Sequence, residues 1–249
     1  FDSFIGFMEE ISSKKLDWEK VKYHMEFYNR SAKLLEECTK LRRSRPCPLS
    51  SHTTFWNEAM NAFGPTQEMG KLLEAELALC KELIDSGKSP CPNGEKHRVL
   101  LRHNLLRQGA EITSMLEKDF GAVTVADGYR FDSRELFSEL EDKRACIDLM
   151  CRRIQSGAMA HGAGASGVEL LESIDFLLRD FEPDVFIFLG NRSCRHAWAA
   201  TKMVSDAVQD RYGIPMLTLD VDNTDFRYKS EREIKIAISE YMDTVVNKR

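Results

Sequence analysis

The sequence contains no apolar run long enough to cross a bilayer, and its first residues show no signal-peptide pattern. Basic residues are not in excess: 35 lysines and arginines against 40 aspartates and glutamates give a formal net charge of −5, which argues against a nucleic-acid-binding surface. The densest basic cluster, Arg42, Arg43 and Arg45, lies at the end of a predicted helix, where cations suit the helix dipole, and we expect it to be solvated. These absences predict a cytoplasmic protein that binds neither membranes nor nucleic acids.

No pairing pattern is visible among the seven cysteines, which are scattered through the sequence. Without an export signal reduced thiols are expected, and an odd count suits free or metal-ligating thiols better than disulfides. Cys146 and Cys151 lie five residues apart on one predicted helix without a partner at zinc-finger spacing, so we expect them to pack rather than to bind metal. Cys47 and Cys91 stand beside prolines and are predicted to be loop thiols.

Hydrophobic periodicity divides the chain into a helical segment, 1–95, and an α/β lobe, 96–249. The first segment carries helix patterns, which we place at 16–45, 51–62 and 65–84. Predicted strands in the lobe span 99–101, 122–126, 185–189 and 215–221, and the predicted helices span 106–120, 133–155, 167–181, 196–212 and 230–246. Strands that alternate with long helices indicate a parallel sheet. The fold class is therefore α/β: a flavodoxin-like four-stranded parallel sheet with helices on both faces, preceded by a helical segment.

The most informative segment runs from Asp184 to Trp198. An apolar strand ends in Gly190, passes through a short polar turn that holds Cys194, and opens directly into a helix. The carboxyl ends of strands in open α/β sheets are where ligands bind. Cys194 stands between Arg192 and Arg195 at a helix N-terminus, which favours the thiolate form. Local chemistry leaves two alternatives equally open: a nucleophile, or one ligand of an iron–sulfur cluster.

Two further segments invite a ligand-binding interpretation that the sequence supports less well. The glycine-rich stretch 157–167 has no G-x-G-x-x-G directly after a strand and no Walker lysine, so a loop is favoured over a dinucleotide site, and His161 is typical of a loop surface. Asp220, Asp222 and Asp225 resemble half of a cation site but lack the glycine and terminal glutamate of an EF-hand. We expect Asp225 or Asn223 to cap a turn and the other residues to line the rim of a cleft.

The order of these features resembles a known family. The segments that carry the resemblance are Arg45-Pro-Cys-Pro-Leu-Ser-Ser51, Arg98-Val-Leu-Leu, 121–130, 184–194 and 213–220. Together they resemble the carboxyl-terminal portion of a subunit of the 2-hydroxyacyl-CoA dehydratase family, which includes 2-hydroxyglutaryl-CoA dehydratase and benzoyl-CoA reductase subunits. The first residue, Phe1, is what a fragment or a processed product would show.

The resemblance implies a cofactor and a set of site residues. Subunits of this family hold a [4Fe–4S] cluster between two flavodoxin-like lobes, and Cys194 matches the ligand of the second lobe. Asn191, Arg192, Ser193 and Arg195 would bind around this cofactor, and His196 is either a proton carrier or a surface residue. The amino-terminal lobe has no counterpart in this sequence, and the cysteine often found after the second strand is missing from Asp127-Gly-Tyr-Arg130. The sheet topology of the family also allows a flavin (FMN).

The activity that the resemblance implies is the loss of water from a 2-hydroxyacyl-CoA to give the enoyl-CoA. The reaction would proceed through a ketyl radical after one-electron activation by an ATP-dependent iron–sulfur activator protein. The expected partners are a homologous second subunit, in a heterodimer, the activator and the acyl-CoA. The alternative is a non-catalytic structural or electron-relay iron–sulfur subunit of a related acyl-CoA reductase complex.

Overall fold

The structure is a computed structural model that describes residues 1–53, 56–57, 66–103, 109–127, 135–155, 166–222, 225 and 227–248. Its centre is a parallel four-stranded sheet made of β1 (His97–His103), β2 (Ala122–Asp127), β3 (Val185–Asn191) and β4 (Met216–Val221). The strands lie in the order β2-β1-β3-β4. The winding therefore reverses between β1 and β3, as in flavodoxin-like sheets, and this switch point is where such folds bind ligands.

Nine α-helices have bounds within the described residues, and residues 51–53 and 56–57 are also helical. The nine helices are α1 (Asp2–Ser12), α2 (Trp18–Leu41), α3 (Gln67–Asp85), α4 (Gly109–Met115), α5 (Lys143–Gln155), α6 (Gly167–Phe181), α7 (Arg195–Ala199), α8 (Thr201–Tyr212) and α9 (Glu231–Tyr241). Single π-helical turns extend α4 over Leu116–Phe120 and α9 over Met242–Val246. None of the helices in the described part of the chain is both long and apolar enough to cross a membrane.

Both faces of the sheet are covered because its central strands are apolar on both sides. In β3, Phe186 and Phe188 join a buried cluster with residues of α6 and α8, whereas Val185, Ile187 and Leu189 join a second cluster with α4 and α9. Every residue from Val185 to Leu189 is buried. The predicted flavodoxin-like sheet with helices on both faces is confirmed.

The helical segment packs onto the lobe rather than standing apart. Cys38 of α2 and Cys80 of α3 belong to the same buried cluster as Leu100 and Val123 of the sheet. The linker after α2 lies along the open edge of β2, where the Thr124 amide donates to Ser51 Oγ at 2.7 Å. Covering an edge strand in this way hides backbone groups that would otherwise pair with another chain. The proposed boundary between 1–95 and 96–249 stays a prediction.

The expected solvation of the arginine cluster after α2 is wrong for Arg42, whereas Arg43 and Arg45 are exposed as expected. Arg42 is only 4% exposed, and its guanidinium donates to the Thr124 carbonyl at 3.4 Å and to Thr53 Oγ1 at 2.7 Å. A cation is stable there because carbonyl and hydroxyl oxygens replace its water. Arg43 pairs with Asp180 at 2.6 Å, and Arg45 pairs with Glu182 at 3.0 Å.

Two predicted helices differ from the observed ones. The helix expected over 133–155 begins only at Lys143, because Asn29 of α2 fixes the preceding segment in a non-helical form. Its side-chain amide donates to the Phe137 carbonyl and accepts from the Phe137 amide, both at 2.8 Å. The helix expected over 196–212 is divided at Ala200 into α7 and α8. Most of the helix predicted over 51–62 lies outside the described residues.

Candidate functional site

The turn after β3 is held by hydrogen bonds from three of its backbone amides, two of which Asn191 accepts. The Cys194 amide donates to the Asn191 carbonyl at 2.9 Å, and the Ser193 amide donates to Asn191 Oδ1 at 3.3 Å. The Arg192 amide donates to the Val221 carbonyl at 2.8 Å, which continues the pairing of β3 with β4 into the turn. These bonds set Cys194 as the residue that precedes α7, at the carboxyl edge of the sheet.

The Cys194 thiol is partly exposed, and its side chain makes no capping hydrogen bond to α7. Its sulfur therefore does not cap the helix that follows it. A partly exposed sulfur at the rim of a parallel sheet can act as a metal ligand or as a nucleophile.

The Trp198 indole packs over Gly190 and so fixes how closely the start of α7 lies to the end of β3. The Trp198 ring packs edge-on against Phe188, with centroids 5.5 Å apart, and its Nε1 donates to the Asn191 carbonyl at 3.0 Å. A Cβ at Gly190 would lie 2.7 Å from Trp198 Cζ2 and 2.8 Å from Phe188 Cζ. Only glycine leaves room for both rings, so the indole can close over the strand and hold the start of α7.

A second cluster covers the turn from the β4 side. The Arg192 guanidinium stacks on the Tyr228 ring, 4.0 Å from its centroid. The Tyr228 hydroxyl donates to Asp220, and Lys229 Nζ lies 2.8 Å from Asp220 Oδ1. The bonds from Lys229 and Tyr228 lower the pKa of the Asp220 carboxyl, and the bond to Asp220 raises the pKa of the Tyr228 hydroxyl. Asp220 is thus held as an anion, and it orients the Tyr228 ring on which Arg192 stacks.

The structure brings only some of the predicted site residues together. Arg192 contacts the β4 side, whereas Ser193, Arg195 and His196 are exposed. Asn191 lies within the turn, where it organises the backbone as described. These positions leave the roles predicted for Asn191, Arg192, Ser193 and Arg195 around a cofactor as predictions.

The aspartates after β4 form turns and ion pairs. Asp222 Oδ1 accepts from the Asp225 amide at 3.0 Å, and Asp225 pairs with Arg227 at 2.8 Å. Across the described residues, no group of three or more histidine, cysteine, aspartate or glutamate side chains is arranged to hold a metal ion. Asp225 caps a turn, as expected, since its Oδ1 accepts from the Arg227 amide at 3.1 Å, whereas Asp220 pairs with Tyr228 and Lys229. That the other aspartates line the rim of a cleft stays a prediction.

Burial separates Cys194 from most of the other cysteines. Burial raises the pKa of the Cys38 and Cys80 thiols to about 12 and that of Cys91 to about 11, and it also raises the pKa of Cys47 and Cys146. Cys47 and Cys91 do lie in loops, but they are core residues. Cys146 packs in a smaller cluster with α2. Cys151 and Cys194 are the two thiols that are partly exposed.

Trp198, Tyr228 and Lys229 shape the site, and the sequence analysis assigned none of them a role. Gly190 and Trp198 lie eight residues apart in the sequence, but this spacing alone does not predict that the indole packs over the glycine. Nothing in the sequence links Tyr228 to Arg192, which lies 36 residues earlier. The predicted glycine-rich loop with His161, and the residues 128–130 that follow Asp127, lie outside the described part of the chain.

Fold and site together define a doubly wound α/β protein with a partly exposed thiol at the carboxyl edge of its sheet. A family model described as 2-hydroxyglutaryl-CoA dehydratase, D-component, matches residues 1–244. The chain belongs to this family, which confirms the resemblance seen in its sequence. A comparison with curated proteins found no match.

Proposed function

We propose that this chain is a subunit of an iron–sulfur 2-hydroxyacyl-CoA dehydratase and that Cys194 is one ligand of a [4Fe–4S] cluster. The observation that carries the proposal is the partly exposed thiol at the carboxyl edge of the sheet, in a chain that matches the dehydratase D-component family over residues 1–244. A thiolate is the protein ligand that such clusters use.

The donor set fits one ligand position rather than a complete site. Five of the seven cysteines are buried, which leaves Cys151 on α5 and Cys194 in the turn. Because no three ligand side chains converge among the described residues, the other ligands would come from another segment or another subunit. Incomplete thiolate ligation also suits the chemistry, since an iron with an open position can bind a substrate oxygen.

When bound, the cluster would supply one electron to the thioester carbonyl of a 2-hydroxyacyl-CoA, and the ketyl radical anion formed on the substrate would expel the 2-hydroxyl group. Loss of a proton from C3 and return of the electron complete a net loss of water. The chain's own residues would place the sulfur and set the local charge. Asn191 and Trp198 would hold the turn in place, and Arg192, which stacks on Tyr228 beside this turn, would tune the cluster through the charge of its surroundings.

The partners follow from the same proposal. The description of the family as a D-component implies a second dehydratase subunit in a complex. We infer that this second subunit is homologous, that an ATP-dependent iron–sulfur activator protein supplies the electron, and that the substrate is an acyl-CoA. A bound flavin (FMN), which the sheet topology of the family allows, stays a further proposal.

One observation favours the alternative, a structural or electron-relay subunit whose cluster never touches substrate. The described residues provide a thiol and several cations at the rim, and the Asp220 carboxyl there is already bound by Lys229 and Tyr228, which lowers its pKa and makes it a weak base. A relay would need the ligand and the charges without the base.

The test uses the complex purified without oxygen together with its second subunit. It is activated with activator protein, ATP and a reductant, and enoyl-CoA formation is followed on a panel of 2-hydroxyacyl-CoA thioesters. The proposal expects product with at least one thioester, loss of that activity in Cys194→Ala, and retention in the matched control Cys151→Ala. A complex that contains iron and binds acyl-CoA but never dehydrates it would establish the relay instead.

A further inference from the structure

Arg192 is an exposed arginine that an aromatic ring holds in place. Its backbone amide donates to the Val221 carbonyl at 2.8 Å, and its guanidinium stacks on the Tyr228 ring, 4.0 Å from the centroid. Within the described parts of the chain, no carboxylate oxygen lies within 4.0 Å of its guanidinium nitrogens. Stacking covers one face of a guanidinium and leaves the N–H donors on its edge available to a ligand.

The carboxylates in the neighbourhood of Arg192 are bound by other cations. Lys229 Nζ lies 2.8 Å from Asp220 Oδ1, and Arg227 pairs with Asp225 at 2.8 Å. The pKa of the Asp225 carboxyl is lowered by its bonds from Arg227 and, to a smaller extent, by the charge of Arg192. Arg192 therefore acts on Asp225 through its charge, while the hydrogen bonds of that carboxylate come from Arg227.

The ring beneath Arg192 is itself anchored. The Tyr228 hydroxyl donates to Asp220, which in turn is paired with Lys229. The backbone of Arg192 is anchored as well, through the pairing of β3 with β4. Because both members of the stack are fixed, the guanidinium loses little further rotamer freedom when a ligand binds to it. A side chain that is ordered in advance in this way binds more tightly than a flexible one.

The stack lies at the edge of the sheet where ligands bind. Arg192 belongs to the turn after β3, beside the point at which the winding reverses between β1 and β3. It stands two residues before Cys194, so their Cα atoms are at most about 7 Å apart. A group bound by Arg192 therefore belongs to a ligand that also reaches the neighbourhood of the Cys194 thiol.

We propose that Arg192, stacked on Tyr228, binds an anionic oxygen group of the ligand that occupies this edge. The planar fork of a guanidinium matches the paired oxygens of a carboxylate or a phosphate, and such charged hydrogen bonds are short and strong. The identity of the ligand rests on the proposed function. In an acyl-CoA the group is either a carboxylate at the far end of the acyl chain or a phosphate of the CoA.

The test compares dissociation constants for the complex purified without oxygen, in the absence of activator protein so that no turnover occurs. Isothermal titration uses glutaryl-CoA, pentanoyl-CoA and the two corresponding pantetheine thioesters, which lack the phosphates. We expect Arg192→Met to weaken the binding of at least one anionic thioester by about 10–100-fold, the effect of losing hydrogen bonds to a charged group. The binding of pentanoyl-pantetheine, which has neither anionic group, should not change.

Two further variants separate anion binding from a loss of charge elsewhere. Arg192→Lys keeps the charge but loses the fork, and it should restore only part of the affinity. Arg211→Met is the matched control, since it removes the same charge at the far end of α8, where Arg211 pairs with Asp175. It should change each dissociation constant by less than about twofold.

The pattern across the four thioesters identifies the source of the anion. A loss confined to the glutaryl thioesters assigns the acyl carboxylate, and a loss confined to the CoA thioesters assigns a phosphate; both support the proposal. Unchanged affinity of Arg192→Met for every thioester overturns it. An equal loss for all four, pentanoyl-pantetheine included, also overturns it, because Arg192 would then support the structure of the turn only.

A separate measurement tests the anion site without acyl-CoA. If the unaltered complex binds none of the thioesters, the dehydratase proposal fails, and Arg192 is then modified with phenylglyoxal and followed by peptide mass spectrometry. Inorganic pyrophosphate or glutarate should slow the modification of Arg192 and leave that of Arg211 unchanged. Equal rates at Arg192 with and without both anions would overturn the anion site.

Discussion

Replacing Gly190 by alanine should displace the Trp198 ring and loosen the turn that carries Cys194. The new Cβ would lie 2.7 and 2.8 Å from two atoms of the indole and 2.8 Å from Phe188 Cζ. Both neighbours are rigid rings packed against each other, so neither can yield by a simple rotation. Overpacking of this kind costs about 1–3 kcal/mol. If the indole also loses its hydrogen bond to Asn191, about 1 kcal/mol is added.

We therefore expect Gly190→Ala to lower the free energy of unfolding by about 2–4 kcal/mol, measured by urea denaturation followed by far-UV circular dichroism. Gly6→Ala is the matched control, since no atom lies within 4 Å of its added Cβ and alanine is the better helix former. Adding Trp198→Phe to Gly190→Ala should recover part of the loss, because the second indole ring makes the closest approach. A change below about 0.5 kcal/mol for Gly190→Ala would refute this packing of Trp198 over the strand.

Three further predictions follow from the described residues. Arg98→Met should destabilise the chain by about 3–5 kcal/mol, because it leaves Glu95 buried without its ion pair, whereas Arg43→Met should cost less than about 1 kcal/mol; urea denaturation measures both. Asp184 raises the pKa of His97, so the pair of protonated His97 with Asp184 stabilises the folded chain fully below about pH 6.5. This stabilisation is lost as the pH rises through the raised pKa. The difference in unfolding free energy between the protein and His97→Gln should therefore shrink over that interval. A thiol reagent should label two cysteines rapidly in the folded chain, and fast labelling of more would contradict the burial of the other five, Cys38, Cys47, Cys80, Cys91 and Cys146.

The sheet could be predicted because strand signals are local. Each strand is a short apolar run between turn residues, and the alternation with long helices sets the parallel direction. The predicted strand 185–189 lies within the observed Val185–Asn191, and the predicted 122–126 lies within Ala122–Asp127. Long-range contacts are what the sequence does not show. Asn29 delays the start of α5 from a position more than 100 residues away.

The site was predictable only at its centre. Cys194 is predicted as a site residue because a polar turn between an apolar strand and a helix is a local signal, and its position in that turn, though not its role, is confirmed. Its surroundings depend on tertiary contacts: Trp198 folds back over Gly190, and Tyr228 reaches Arg192 from the loop after β4. The buried Arg42 was misjudged for the same reason, since its oxygen partners lie on β2 and on the linker.

Iron content measures the role of Cys194 most directly. The complex is purified without oxygen, and iron is determined per complex together with the charge-transfer absorption of the cluster, for the unaltered chain, for Cys194→Ala and for Cys151→Ala. If the proposal is right and the thiol in the turn after β3 is the ligand, Cys194→Ala loses iron and absorption while Cys151→Ala keeps both. Unchanged iron and absorption in Cys194→Ala would contradict the assignment of Cys194 to the cluster.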